Sequence, residues 1–279
     1  MAEPAVSVNG QLLSLAGPHL SALDRGFLLG DGLFETMRVR QGYVVRWERH
    51  VARLRAGAAV LDLPIVWPDD DLADIVRRTL AAGGLTEAVV RLTISRGVNP
   101  ARGLLPPPHP SPTLVVHAAP FDGYPAELSA RGMRAIVSRF PRNERSPLSH
   151  VKSLNYLDNI LARQEAARRG ADEALLINTT GNLVGASAAN LFVVVADWII
   201  TPTRQCGALP GTVRQTVIEC LPDRVEERPV TLTDLAIGVE AFLTNALLGV
   251  MPLTAVDDRP IGTGMPGPVT LAVAELLAR

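Results

Sequence analysis

From Val6 to Leu15 apolar and polar residues alternate on either side of Asn9-Gly10, and Phe34 to Trp47 repeats the pattern around Gln41-Gly42. Both dipeptides tolerate the positive φ of a tight turn, so each stretch predicts a β-hairpin. The spacing of apolar residues then lengthens to the helical period in WERHVARLRAGAAVLDL and in DDLADIVRRTLAA, predicting two helices. Glu87 to Ser95 and Thr113 to Ala118 read as further strands, and Pro120 to Pro125 as a linker. Beyond it lie a strand from Met133 to Phe140 and a polar, proline-marked loop, PRNERSPLSHVKS. A helix in YLDNILARQEAARRG follows, closed by Gly170. EALLINTT, LVGASAANLFVVVA and WIITP predict a meander, and GTVRQTVIECL and PVTLAVAELLAR two last helices. Strands grouped apart from helices imply an α+β protein of two domains: residues 1–119, a linker over 120–126, and residues 127–279.

Composition narrows the chemistry. The 279 residues are 47% hydrophobic with a net charge of −1 and no polybasic run, which argues against a nucleic-acid partner. The amino-terminal segment lacks a signal-peptide pattern and no apolar run reaches membrane-spanning length, so a cytoplasmic protein is expected. Cys206 and Cys220 are too few for a disulfide framework and lack metal-ligand spacing, so no metal is expected.

Lys152 is the sole lysine among 27 basic residues. Arginine fills most solvated cationic roles but stays protonated, whereas a desolvated lysine supplies a neutral amine. A lone surviving lysine therefore points to Schiff-base or proton-transfer chemistry, with chance survival as the alternative. Arg53, on the first long helix, suits a phosphate, and ALPGTVRQ sets Gly211 before a helix start whose amides near Thr212 and Val213 suit an anion. Taken alone, such residues are more often simple capping and a solvated arginine.

Several ordered segments together carry a resemblance: DRGFLLGDGLFETMRV, HVARL, SPLSHVKSLNYLDNILARQEA, DEALLIN, ASAANLF and ALPGTVRQ. With these the chain resembles the class IV aminotransferases, the fold-type IV pyridoxal-phosphate enzymes, over nearly its whole length. The resemblance implies a D-amino-acid-aminotransferase-like fold, with a smaller N-terminal α/β domain and a larger β-rich C-terminal domain that binds pyridoxal 5'-phosphate. It implies a homodimer as well. Lys152 would form the Schiff base and shuttle the proton. Arg53, the amides of Thr212 and Val213, and the Asn245-Ala246 turn would hold the phosphate. Tyr156 would line the cofactor's face and Phe34 the substrate pocket. Arg102 would bind a substrate carboxylate, with Arg96 as its rival.

One departure stands out. The family's second signature reads E-x-S-x-x-N, and here the segment is GASAAN, so Gly185 occupies the glutamate position. That carboxylate pairs with the pyridine nitrogen and strengthens the ring as an electron sink. Its loss is expected to harm a lyase less than a transaminase, because a lyase discharges the charge through a leaving group. FLTNALLGVMPL and SRG also look like the 4-amino-4-deoxychorismate lyases, which release pyruvate and leave 4-aminobenzoate for folate biosynthesis. An aminotransferase for D- or branched-chain amino acids, a catalytically silent paralogue and a cofactor-free aldolase are the alternatives.

Overall fold

In the computed structural model, which describes residues 2–16, 20–101 and 103–278, both expected hairpins form on positive-φ turns. Asn9 (φ 49°) and Gly10 (φ 81°) join β1 (Ala5–Val8) to β2 (Gln11–Leu13). Gln41 (φ 50°) and Gly42 (φ 82°) join β3 (Gly32–Arg40) to β4 (Tyr43–Val44). With β5 (Ala88–Ser95) and β6 (Thr113–Pro120) these make a six-stranded antiparallel sheet in the order β2-β1-β6-β5-β3-β4.

Alternation along β3 sends Leu33, Met37 and Val39 to one face, where two helices cover them. Helix α2 (Trp47–Val60) buries Val51, Leu54 and Ala58, and α3 (Asp69–Ala82) buries Leu72, Ile75, Val76 and Leu80. A short helix, α1 (Arg25–Leu29), precedes β3; Asp24 caps its start and Gly30, at φ 66°, ends it. Five residues are too few to register as a hydrophobic period, and the sequence pattern does not reveal it.

This first compact unit comprises residues 1–122 together with Val151–Asn155. The short segment joins by hydrogen bonds: the Phe34 amide donates to the Lys152 carbonyl (3.0 Å) and the Leu154 amide to the Gly32 carbonyl (2.9 Å), with Ser153 bridging to Leu33. It thereby pairs with the end of β3 that β4 leaves open. The division in chain order allots Lys152 to residues 127–279; backbone pairing ties it to β3 instead.

The second unit, residues 123–150 and 156–279, is built on nine strands. These are β7 (Met133–Val137), β8 (Glu173–Ile177), β9 (Leu183–Ala186), β10 (Asn190–Val195), β11 (Trp198–Thr201), β12 (Val225–Glu227), β13 (Glu240–Asn245), β14 (Gly249–Val256) and β15 (Arg259–Pro260). Their order is β12-β11-β10-β13-β14-β7-β8-β9, with β15 beside β14, and parallel and antiparallel pairs are mixed. Helices α4 (Ala126–Arg131), α5 (Leu157–Arg168), α6 (Thr212–Cys220), α7 (Leu232–Ile237) and α8 (Pro268–Ala278) accompany them. Phe192 and Phe242, opposed on β10 and β13, stack with ring centroids 4.8 Å apart in a core that includes Val217 of α6 and Val273 of α8. The expected strand to Phe140 stops at Val137, and Gly170 (φ 69°) sits just past the end of α5. Among the described residues no helix is long and apolar enough to cross a membrane, and no group of three or more His, Cys, Asp or Glu could hold a metal.

Candidate active site

The strand-like run Val151–Asn155 obeys a period of two. Val151 and Ser153 are buried, and Val151 packs in the core beneath α2. Lys152 faces the other way, to the side of the sheet that carries Phe34. Its Nζ lies 4.3 Å from the centroid of the Phe34 ring, and the Arg91 guanidinium carbon lies 3.8 Å from the same centroid. Phe34 is buried, so its ring gives the amine an apolar platform with attractive cation–π character. Arg91, on β5, is a neighbour the sequence reading missed.

One residue along β3, Glu35 points to the helix side and is 2% exposed. Its two carboxylate oxygens accept from Arg53 Nε at 2.8 Å and Arg53 Nη2 at 2.5 Å, and Oε2 lies 2.6 Å from His50 Nδ1. Burial pushes Glu35 upward, but the Arg53 charge and the bonds from His50 and Arg53 outweigh it and hold the carboxyl at about 2. Burial pushes His50 below its ordinary value, against the pull of Glu35. A neutral imidazole beside an ionised, acceptor-only carboxylate must carry its proton on Nδ1. The spacing of His50 and Arg53 on α2 brings both to one carboxylate. A charged residue amid an alternating strand reads as a solvent-facing position, so Glu35 and His50 escaped the sequence reading.

Arg53 is thus committed to structure through its Nε and Nη2 edge, with its side chain 11% exposed. An anion bound by it shares the guanidinium with Glu35.

Arg96, the rival candidate for a substrate carboxylate, is engaged within the first unit. Its Nε donates to Asp31 (2.8 Å), Nη1 to the Asp62 carbonyl (2.8 Å) and Nη2 to the Leu61 carbonyl (2.7 Å), and it is buried. It fixes the end of α2 to Asp31. Arg25 takes the same Asp31 oxygen at 2.8 Å and holds the carbonyl of Leu104 at 2.7 Å. Arg102 lies outside the described residues.

In the second unit, Asn190 begins β10 and its side-chain amide donates to the Leu209 carbonyl (2.8 Å). A Cβ on Gly211 would stand 1.9 Å from Asn190 Oδ1, so the glycine is what lets Asn190 lie against the start of α6. Gly211 is the N-cap and offers no side chain, leaving the buried first-turn residues Thr212 and Val213 with amides suited to an anion. Asn245 closes the β13–β14 turn: its Oδ1 accepts from the amides of Leu247 (2.9 Å) and Leu248 (2.7 Å). Its amide group donates to the Ala188 carbonyl (3.0 Å), tying the turn that contains Ala246 to the ASAAN loop. Beside it, Thr244 Oγ1 is fully buried without a hydrogen-bond partner among the described residues. Tyr156 stands half-buried at the N-cap of α5.

Gly185, on β9, has φ +149°, and a Cβ there would meet the Ala189 carbonyl oxygen at 2.9 Å. The glutamate position of the signature is therefore held by backbone that only glycine adopts without strain.

The sequence matches the family model for amino-transferase class IV over residues 32–256. A Methanocaldococcus jannaschii protein provisionally named a branched-chain-amino-acid aminotransferase is 33% identical over 273 residues, covering 97% of this chain and 94% of its own. The structure is similar to that of the Escherichia coli branched-chain amino acid aminotransferase, at TM-score 0.92 and 26% identity over 98% of this chain and 93% of that one. It is also similar to 4-amino-4-deoxychorismate lyase from Pseudomonas aeruginosa, at TM-score 0.86 and 30% identity over 98% and 97%.

Proposed function

Because the chain belongs to the class IV aminotransferase family, we propose that it is a pyridoxal-phosphate-dependent 4-amino-4-deoxychorismate lyase. A branched-chain aminotransferase of similar structure was solved with pyridoxamine 5'-phosphate, and the residues present here fit that cofactor in most respects. The one lysine rests on an aromatic ring, the first turn of α6 is uncapped by any side chain, and a buried hydroxyl, Thr244 Oγ1, awaits a partner. Lys152 would hold the aldehyde carbon. Arg53, the amides of Thr212 and Val213, and the Asn245-Ala246 turn would hold the phosphate, with Tyr156 along the ring.

Bound pyridoxal phosphate supplies an aldehyde that condenses with the substrate amine and a conjugated ring that draws electrons from the carbon bearing it. Lys152, whose Nζ lies over Phe34, would be the primary amine that takes the proton from that carbon. By removing it, Lys152 lets the substrate's carbon–oxygen bond to the enolpyruvyl group break as the six-membered ring becomes aromatic. Lys152 can then return the proton to the departing enolpyruvate, which becomes pyruvate. Glu35 and His50 keep Arg53 oriented throughout, and Arg102 retains the substrate-carboxylate role that the resemblance implies.

The observation that carries this reading is Gly185. A backbone that excludes a carboxylate suits a reaction whose negative charge leaves with a product, more than one that must store it on the ring. The assay is direct: purified holoenzyme given aminodeoxychorismate should release pyruvate and 4-aminobenzoate in equal amounts. If it instead exchanges amino groups between amino and keto acids and releases no 4-aminobenzoate, the lyase reading is wrong. Aminotransferase action on branched-chain or D-amino acids is the second reading, its branched-chain form favoured by the name given to the M. jannaschii relative.

A homodimer is part of the same proposal. Phe27 of α1 is 77% exposed beside exposed Leu28 and Leu29, and Leu157, Ile160 and Leu161 make an exposed apolar stripe on α5. Apolar surface of this kind supports an association face.

A further inference from the structure

The second unit half-buries an arginine that the reaction above does not use. Arg142, in the loop before Lys152, donates through Nη2 to the Ser149 carbonyl (3.1 Å) and through Nη1 toward Asn159 Oδ1 (3.5 Å). Its Nε is buried with no hydrogen-bond partner, and no carboxylate lies within ion-pair distance among the described residues. Burial pushes the guanidinium below its ordinary value against the pull of Tyr156 and Asp158, and Asp158 is exposed. The contacts of Arg142 lead to the segments that matter. Ser149 lies three residues before the lysine. Asn159 lies about one helical turn after Tyr156 and donates its amide to the Ser187 carbonyl (2.6 Å), two residues past Gly185. Arg142 therefore sits at the hub joining the loop that leads to the lysine, the start of α5 and the loop that follows Gly185 on β9.

Among the described residues, no other buried carboxylate of the unit is free to replace the missing one. Glu173 is engaged by Arg163 Nη1 (2.7 Å), the Ala174 amide (2.8 Å) and the Ser187 hydroxyl. Glu240 is spent on the start of α8, accepting from the Val269 and Thr270 amides and the Thr270 hydroxyl. Glu144, in the same loop as Arg142, accepts from the amide and hydroxyl of Thr179. The strained glycine at 185 excludes a side chain there. The local balance is a half-buried cation whose buried Nε has no partner.

We propose that Arg142, uncompensated because residue 185 is glycine, keeps the pyridine nitrogen of the bound cofactor unprotonated. This rests on the reading of the chain as a pyridoxal-phosphate enzyme and deepens it. A positive charge near a ring nitrogen opposes a second positive charge on it, as a carboxylate would favour one. The ring then works as a weak electron sink. The site is thereby biased toward substrates that carry their own leaving group next to the amine-bearing carbon, and away from those that require the ring to store the charge. Arg142 acts as a positioning and charge-setting residue that need not touch the reacting atoms.

The test reads the nitrogen itself. Holoenzyme reconstituted with pyridoxal phosphate labelled with a heavy-nitrogen isotope in the ring is observed by NMR across the neutral pH range. Protonated and unprotonated pyridine nitrogens resonate far apart. The wild-type resonance should sit at the unprotonated position, and Arg142→Gln or Arg142→Met should move it toward the protonated one. Either neutral variant suffices if the other does not fold, and the wild-type spectrum needs no variant at all. A protonated nitrogen in the wild type overturns the proposal, and so does an unprotonated one that ignores removal of Arg142. Failure of borohydride to fix cofactor on Lys152 is a different result: it overturns the pyridoxal-phosphate reading on which the proposal stands.

Discussion

Gly57 on α2 has no side chain where Val151 packs: a Cβ there would stand 2.7 Å from Val151 Cγ1. The residue before the lysine is thus seated against the helix by an absence. Gly57→Ala should overpack this contact at a cost of ~1–3 kcal/mol, partly offset by alanine's better helix propensity of about 1 kcal/mol. It should also slow covalent loading of Lys152, measured by borohydride trapping, and Val151→Ala in the same chain should restore loading. An unchanged trapping rate in Gly57→Ala would detach the helix from the placement of the lysine.

Two variants separate the tie of Arg53 to Glu35 from its proposed hold on the cofactor. Arg53→Ala leaves Glu35 buried and charged, so stability should fall by ~3–5 kcal/mol. Cofactor retention should weaken by ~2–5 kcal/mol as a charge-assisted contact is lost. Arg53→Ala combined with Glu35→Gln should recover much of the melting temperature and none of the retention. Equilibrium dialysis beside calorimetry distinguishes the two, and recovery of both would leave Arg53 a purely structural residue.

The Glu35 cluster sets an acid limit. Its carboxyl is held at about 2 in the fold against an ordinary 4.5, so its contribution is fully present above the unfolded value and is lost as pH falls from 4.5 through about 2. The linked stability is about 3 kcal/mol, from roughly 1.4 kcal/mol per pH unit. His50, lowered from 6.5, acts in the same direction from a higher pH, since the unfolded imidazole takes up a proton that the fold refuses. Denaturant midpoints followed downward from neutral pH should fall in both windows, and Glu35→Gln should flatten the lower one.

Restoring the family glutamate should not restore a strong sink. Gly185→Glu and Gly185→Ala both force a side chain into φ +149° against the Ala189 carbonyl, at ~1–3 kcal/mol of backbone strain. Equal losses of melting temperature and no gain in any amino-transfer half-reaction are the expected outcome. A folded Gly185→Glu enzyme with raised transaminase activity would count against the link between this backbone and the choice of reaction.

Much of this was legible beforehand because it is local. Asn9-Gly10 and Gln41-Gly42 announce their hairpins through residues that accept positive φ, and α2, α3 and α6 through their periods. Short helices such as α1 and α4 have too few residues to show one. Lys152 stands out by composition, yet its run beside β3 reads as loop because pairing with a distant strand leaves no local trace. Glu35 and His50 were invisible for a related reason: burial, which gives a common charged residue fixed partners, is a property of the fold. Arg96 shows the same from the other side, since its three bonds to Asp31, Leu61 and Asp62 are long-range ties that leave no local trace.

The chain leaves the first unit after residue 122 and returns to it for Val151–Asn155 before leaving again. On a ribosome, β3 therefore emerges long before the strand that completes its open edge, and the amino-terminal part of the chain waits with Gly32 to Phe34 unpaired on that side while residues 123–150 are made. Contacts this distant in sequence form late and slowly, and an unpaired edge is the part of a nascent sheet most prone to joining a wrong partner. The segment that carries Lys152 is thus also the one that ends this exposure. A truncated chain stopping before residue 151 should be sticky as well as inactive.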